Sequence, residues 1–315
     1  MITEEFDLIN PTIVNYEGIK YPELNEEEKH CIHYLVEMFR HIIEIDNLFE
    51  ISNFNLMSMV HYYELYNTSR IKRNFNFEFE TTDHIAINAL VNNIISSGKT
   101  LLEAIDVFMK EVYKEEQQVI NNFKAQYTSK KYDDSFQYRL LLRMRDFAQH
   151  GHLPINVDNN SICCIDLNYI TSTPHFEHNK NLYNQMKDII NEIQLKLLEN
   201  PQISFSISII EYKINISEIY NGFLNTIECT IQNASDKLKK LLLSRPDLIY
   251  KSENFLNGQV IYKLDDDNYL HMFNPKGETM NKFHECKKNA KKIYEYEKQK
   301  LDIFYSNTMT VPIRK

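Results

Sequence analysis

Apolar residues recur at three- and four-residue intervals along most of this chain. From Asn25 to Glu50 the set Ile32, Leu35, Met38, Phe39, Ile42 and Ile43 keeps that spacing behind Glu26, Glu27 and Glu28, and an acidic first turn suits the positive end of a helix dipole. A helix is predicted there, with a shorter helical or mixed stretch over 55–66. RIKRNFNFEFE at 70–80 alternates and predicts an exposed strand or extended segment. Thr82 and Asp83 are caps for a helix carrying Ile87, Leu90, Val91, Ile94 and Ile95, and Leu101, Ile105, Phe108, Met109 and Val112 continue the pattern to about residue 125. The two stretches predict a helical hairpin or one kinked helix. The polar QYTSKKYDD at 126–134 predicts a break after it.

Ser135 to His150 returns to helical spacing. SICCIDLNYI at 161–170 is β-branched and alternating enough to predict a strand, TSTPHFEHNK predicts a loop, and a helix follows over 181–198. ISFSISIIEYKINISEIYNGF alternates locally, but Ile210, Ile214, Ile219, Phe223, Ile227 and Ile231 favour a helix through about residue 243. Two alternating runs around DDDN in 259–273 predict a hairpin, and a charged amphipathic helix is expected over 279–304. The fold class that follows is mainly α with a small β element. A boundary near residue 200 would divide it into 1–200 and a further, mostly helical region at 201–315.

Composition agrees with this and adds limits. The 315 residues include only 6 Gly and 8 Pro, which favours long helices with few tight turns, and 43% apolar with 25% charged residues describes an ordinary globular protein. MITEEFDLINPTIV has no basic start followed by an apolar run, and no stretch has the length of a membrane span, so a cytoplasmic protein with no membrane partner is expected. Cys31, Cys163, Cys164, Cys229 and Cys286 are an odd, scattered set, expected as reduced thiols. A net charge of -9 argues against a surface coated in positive potential, while leaving room for a local basic cleft.

Candidate chemistry concentrates in RLLLRMRDFAQHGHLPI, 139–155. With Met144 at the centre of a buried face, Gln137, Leu140, Leu141, Phe147 and Ala148 fall within about 60° of it at roughly 100° per residue. Arg145, Asp146, Gln149 and His150 sweep across the opposite side, Asp146 one turn before His150. Gly151 suits the position that stops a helix and Pro154 prevents its resumption, which leaves His150 in the last turn. There the helix carbonyls and Asp146 favour the protonated imidazole beside a permanent guanidinium charge, an arrangement suited to phosphate chemistry.

Arg145-Asp146-Phe147-Ala148-Gln149-His150 resembles the R-polar-x-x-x-H form of the RX4-6H motif of the HEPN superfamily, and Arg143 also lies within that spacing of His150. INALVNNIISSGKTLLEAIDVFMK, preceding the motif helix, is similar to the helical hairpin of that superfamily's bundle. The likeness covers at most residues 24–155. It implies a HEPN-like helical bundle, a metal-independent endoribonuclease, RNA as substrate, no cofactor and a symmetric homodimer whose two motif helices line one cleft. Under it His150 is general acid or base, Arg145 neutralises charge on the phosphoryl oxygens, Asp146 orients His150 or its counterpart across the dimer, and Arg143 and Gln149 contact substrate. Toxin or phage-defence roles, and a regulatory protein partner, follow from the family's habits.

Other readings compete. The same residues suit a solvated helix face whose terminal histidine satisfies the dipole. His150, His152, Cys163, Cys164, His175 and His178 are all zinc-ligand types within thirty residues, although the spacing matches no standard module. SGKT at 97–100 resembles the end of a phosphate loop but lacks its first glycine and its strand. Arg70, Lys72 and Arg73 beside Phe75, Phe77 and Phe79 form a basic-aromatic strip able to stack RNA. A noncatalytic helical interaction protein is the alternative from a different class.

Overall fold

A computed structural model describes residues 25–67, 83–150, 152–153, 155–157, 163–195, 202–244, 260–263, 270–273 and 278–307. Helix α1 (Glu26–Asn67) begins with a reciprocal capping box: the Glu28 amide donates to Asn25 Oδ1 and the Asn25 amide donates to Glu28 Oε2, each at 2.9 Å. With no Gly or Pro inside it, α1 runs unbroken through the segment expected to be mixed. Helix α2 (Asp83–Val112) runs unbroken through 96–100, so the two stretches expected to form a hairpin or a kinked helix are one helix, and a short turn over 113–116 separates it from helix α3 (Gln117–Phe123). The strip at 70–80 and Thr82 lie outside the described residues.

The expected break over 126–134 is instead helical. A π-helical turn (Lys124–Thr128) leads directly into helix α4 (Ser129–Asp134). Its polar side chains stay at the surface, so polarity alone ended nothing; the widened turn turns Tyr127 toward Gly222, where a Cβ would stand 2.5 Å from the Tyr127 ring. The real stop is Ser135, extended at φ -113° and ψ 112°, whose Oγ accepts from the Tyr138 amide at 3.2 Å and caps helix α5 (Phe136–Gln149).

Strands β1 (Asn156–Val157), β2 (Cys163–Asp166) and β3 (Gln202–Ser204) form an antiparallel sheet in the order β1-β2-β3. The strand expected over 161–170 is therefore cut short. Asp166 accepts from the Tyr169 amide at 3.0 Å and caps helix α6 (Leu167–Thr171), a local side-chain bond that outcompetes the ladder. A 3₁₀ turn (Pro174–Phe176) stands in the expected loop, and helix α7 (Lys180–Leu195) follows. Helix α8 (Phe205–Ser244) resolves the ambiguous isoleucine run as helix, strands β4 (Val260–Lys263) and β5 (Leu270–Phe273) pair antiparallel, and helix α9 (Glu278–Asn307) comes last.

The fold is mainly α with a small β element. Described residues within Met1–Asp46 and Phe223–Ala290 form one unit, and those within Asn47–Gly222 and Lys291–Lys315 form another, so the boundaries fall inside α1, α8 and α9 rather than near residue 200. The first unit buries Leu35, Phe39, Ile42, Phe223, Ile227 and Phe283; the second buries Phe49, Ile94, Leu140, Met144, Phe147 and Tyr212. No described helix is long and apolar enough to cross a membrane. The five cysteines are thiols, none in a disulfide.

Candidate functional site

Helix α5 is fixed from both ends. Leu140, Leu141, Met144 and Phe147 are completely buried, as the helical wheel requires of its inner face. At the start of the helix the buried Arg139 guanidinium donates to the carbonyls of Tyr132 and Asp133, the latter at 2.9 Å, and to Gln185 Oε1 of α7. Carbonyls left over at the end of α4 are thereby satisfied. Beyond the other end, buried Asn88 of α2 donates to the Ile155 carbonyl at 2.8 Å and accepts from its amide at 2.9 Å. This side-chain amide holds the chain after α5 as a strand neighbour would.

On the outer side of α5, Arg143, Asp146 and His150 lie together. Arg143 and His150 are seven residues apart, which leaves them within about 20° on the wheel. Asp146 accepts from Lys99 Nζ of α2 at 3.1 Å and has Arg143 Nη1 at 3.9 Å. His150, exposed at the C-cap with φ -88° and ψ 16°, sets its ring 4.9 Å from the ring of His175 at an inclination of 54°. Arg143, Asp146, His175, Phe176, His178, Asn179, Lys180 and Asn181 line an open cavity of about 470 Å³. The walls are rich in cations and imidazoles on a chain that is acidic as a whole.

His175 is the electrostatic centre of this group. Its pKa is lowered from the ordinary histidine value, first by burial and then by the positive side of His150, with His152 and Arg143 acting in the same direction and Asp146 opposing. The shift favours the neutral imidazole, and His175 is one of the residues that line the cavity. The ring is positioned by its neighbours: Pro174 opens the 3₁₀ turn, and the buried Phe176 packs on Phe147 with centroids 5.6 Å apart.

Of the residues singled out from sequence, Asp146, His150 and Arg143 come together, and Arg145 does not join them. Arg145 sits about 140° around the helix from His150. It is half-buried beside Tyr212, and its Nε is buried without a hydrogen-bond partner among the described residues. Gln149 is exposed and lies on the Arg145 side of α5. Asp146, expected to orient His150, has its carboxylate engaged by Lys99 and Arg143. Gly151 and Pro154, expected to terminate the helix, lie outside the described residues, but the helix does end at Gln149.

His152 stacks on Phe147 at 4.4 Å and 14°, with Nδ1 3.3 Å from the Tyr169 hydroxyl. Among the described residues no three His, Cys, Asp or Glu side chains are grouped to hold a metal ion, and Cys163 and Cys164 are buried in β2. SGKT has a structural explanation. Ser97 and Thr100 bond back to the carbonyls of Ile94 and Ser96, Lys99 crosses to Asp146, and Gly98 leaves room for Tyr212.

His175, Lys99 and Lys180 were missed as partners of the motif helix. The concentration of histidines over 150–178 was the available signal, and zinc was the wrong geometry to test it against. A mobile-proton pair beside fixed positive charge can bind an oxyanion, accept a proton at one ring and deliver one from the other. Comparison with protein-family models, with curated proteins and with solved structures finds no match for this chain.

Proposed function

We propose that this protein is a metal-independent endoribonuclease of HEPN type, working at the outer face of α5. One observation carries the reading: Arg143 and His150, in the RX6H spacing, share a face of α5 beside the cation- and imidazole-lined cavity of about 470 Å³. Arg143 takes the phosphate-facing role that the sequence assigned to Arg145, because Arg143 lines the cavity while Arg145 is half-buried on another side of α5. The 2′-hydroxyl of RNA gives up its proton to a base and its oxygen bonds to the adjacent phosphorus, the bond from phosphorus to the 5′-oxygen breaks, the guanidinium offsets charge gathering on the phosphoryl oxygens, and His150 delivers a proton to the departing 5′-oxygen. The products are a 2′,3′-cyclic phosphate and a 5′-hydroxyl. Asp146 and Lys99 hold Arg143 and one another in register.

The test is incubation of total RNA with purified protein in EDTA, with analysis of product ends. Wild type cleaves to 2′,3′-cyclic phosphate, and His150→Ala does not. Intact RNA with wild type defeats the reading and leaves the noncatalytic helical interaction protein in its place. A toxin or defence role is the biological extension of the proposal: expression arrests growth, and His150→Ala relieves the arrest.

A further inference from the structure

We propose that His175 is the base that removes the 2′-hydroxyl proton at this site, so that a single chain carries both proton-transfer groups. The proposal rests on the ribonuclease reading above and adds to it a residue from outside the motif. In-line displacement at phosphorus needs a base near the attacking oxygen and an acid near the leaving oxygen. A motif with one histidine supplies one of these, which is why a second chain was expected to furnish the other. Here the second ring stands 4.9 Å from the first in the same chain, inclined by 54°, on a 3₁₀ turn anchored by Phe176 rather than on α5.

The surroundings divide the roles. The groups facing His175 are Arg143, Asp146 and His150 from α5 and His152 from the segment after it, with His178 and Lys180 further round the cavity. Burial and the cationic neighbours outweigh Asp146 and hold His175 below its ordinary value, so its free form persists where a solvated histidine would already be protonated. His150, exposed at the end of α5, is the donor. In the step, a His175 nitrogen takes the 2′-hydroxyl proton, the 2′-oxygen bonds to phosphorus, the bond from phosphorus to the 5′-oxygen breaks, and that oxygen takes its proton from His150. Proton exchange with water then restores both rings.

The experiment uses the full chain and two substrates: an RNA oligonucleotide, and a nucleoside 3′-(4-nitrophenyl phosphate), whose leaving group needs no acid. For wild type, the acid limb of kcat/KM on RNA should fall below pH 6.5, the ordinary histidine value. His175→Ala and His175→Asn, each with an unchanged circular dichroism melt, should lose about 100-fold or more and lose that limb. On the nitrophenyl ester His150→Ala should recover most of its rate and His175→Ala should not, while added imidazole should restore His175→Ala. Mixing His150→Ala with His175→Ala should restore nothing, because each chain holds its own pair. If wild type cleaves RNA and His150→Ala does not, yet His175→Ala and His175→Asn keep the wild-type rate and pH profile, the inference is overturned and the ribonuclease reading stands. Recovery of His175→Ala but not His150→Ala on the ester reverses the roles and overturns it, and restored activity on mixing overturns the single-chain site. No cleavage by wild type removes the parent reading and this inference together.

Discussion

Gly98 and the two arginines of α5 show how single side chains are assigned by their neighbours. A Cβ at Gly98 would lie 2.5 Å from Tyr212 Oη, a hydroxyl that donates to the Ile95 carbonyl at 3.1 Å inside the core. Gly98→Ala should therefore destabilise the protein by about 1–3 kcal/mol in urea unfolding, and Tyr212→Phe in the same chain should return part of that by removing the oxygen. Equal losses in the single and double variants would show that the contact is not the cause. Arg143 and Arg145 separate in the opposite sense. Arg143→Met should lose RNA cleavage with stability unchanged within about 0.5 kcal/mol, whereas Arg145→Met, which keeps the half-buried aliphatic stem, should retain cleavage within a few-fold. Initial rates in EDTA decide between them, and a dead Arg145→Met beside an active Arg143→Met would return the phosphate role to Arg145. The wheel already held this distinction, since Arg143 falls about 20° and Arg145 about 140° from His150. What it lacked was the cavity, which Arg143 lines and Arg145 does not.

At the scale of an element, α5 is an amphipathic helix whose inner face supplies stability and whose outer face is left for chemistry. Met144→Ala empties a fully buried site and should cost about 2–5 kcal/mol, while His150→Ala on the exposed end should leave the unfolding midpoint in place. Guanidinium titrations of both variants check the contrast. Asn88→Ala should cost about 1–3 kcal/mol, because it strips the Ile155 amide and carbonyl of their buried partner. Hydrogen exchange at Ile155 that remains as protected as in wild type would argue against that clamp. Local periodicity was enough to read α5, the long helix over the isoleucine run and the final hairpin, because each depends on residues within a few positions of one another. It failed over 126–134, where polarity was read as a break, and over 167–171, where one aspartate at a strand end starts a helix.

The whole molecule adds a buried polar group that no local pattern signals. Lys213 of α8 is fully buried, donates to Ser52 Oγ of α1 at 3.1 Å and lies over the Phe49 ring at 4.7 Å, while Glu297 of α9 accepts from Ser217 Oγ at 2.7 Å. Burial pushes the Lys213 ammonium down to about 8 and the Glu297 carboxyl up, each charge partly offsetting the shift of the other. Between the folded value of about 8 and the ordinary 10.5, the unfolded lysine holds a proton that the folded one has released. The contribution of Lys213 to stability therefore rises with pH across that window, by an amount on the order of 3 kcal/mol. Unfolding midpoints of wild type minus Lys213→Met should climb from pH 8 to 10.5, and a flat difference would refute the shift. Sequence by itself determined that the fold is mainly helical, which face of α5 is inward and that His150 closes it, because hydrogen bonding and hydrophobic periodicity act over one or two turns. Tertiary structure alone decided that His175 stands against His150, that Lys99 reaches Asp146 and that Lys213 is enclosed. Those groups are far apart along the chain, and the packing of separate helices, not any spacing in the sequence, brings them within reach.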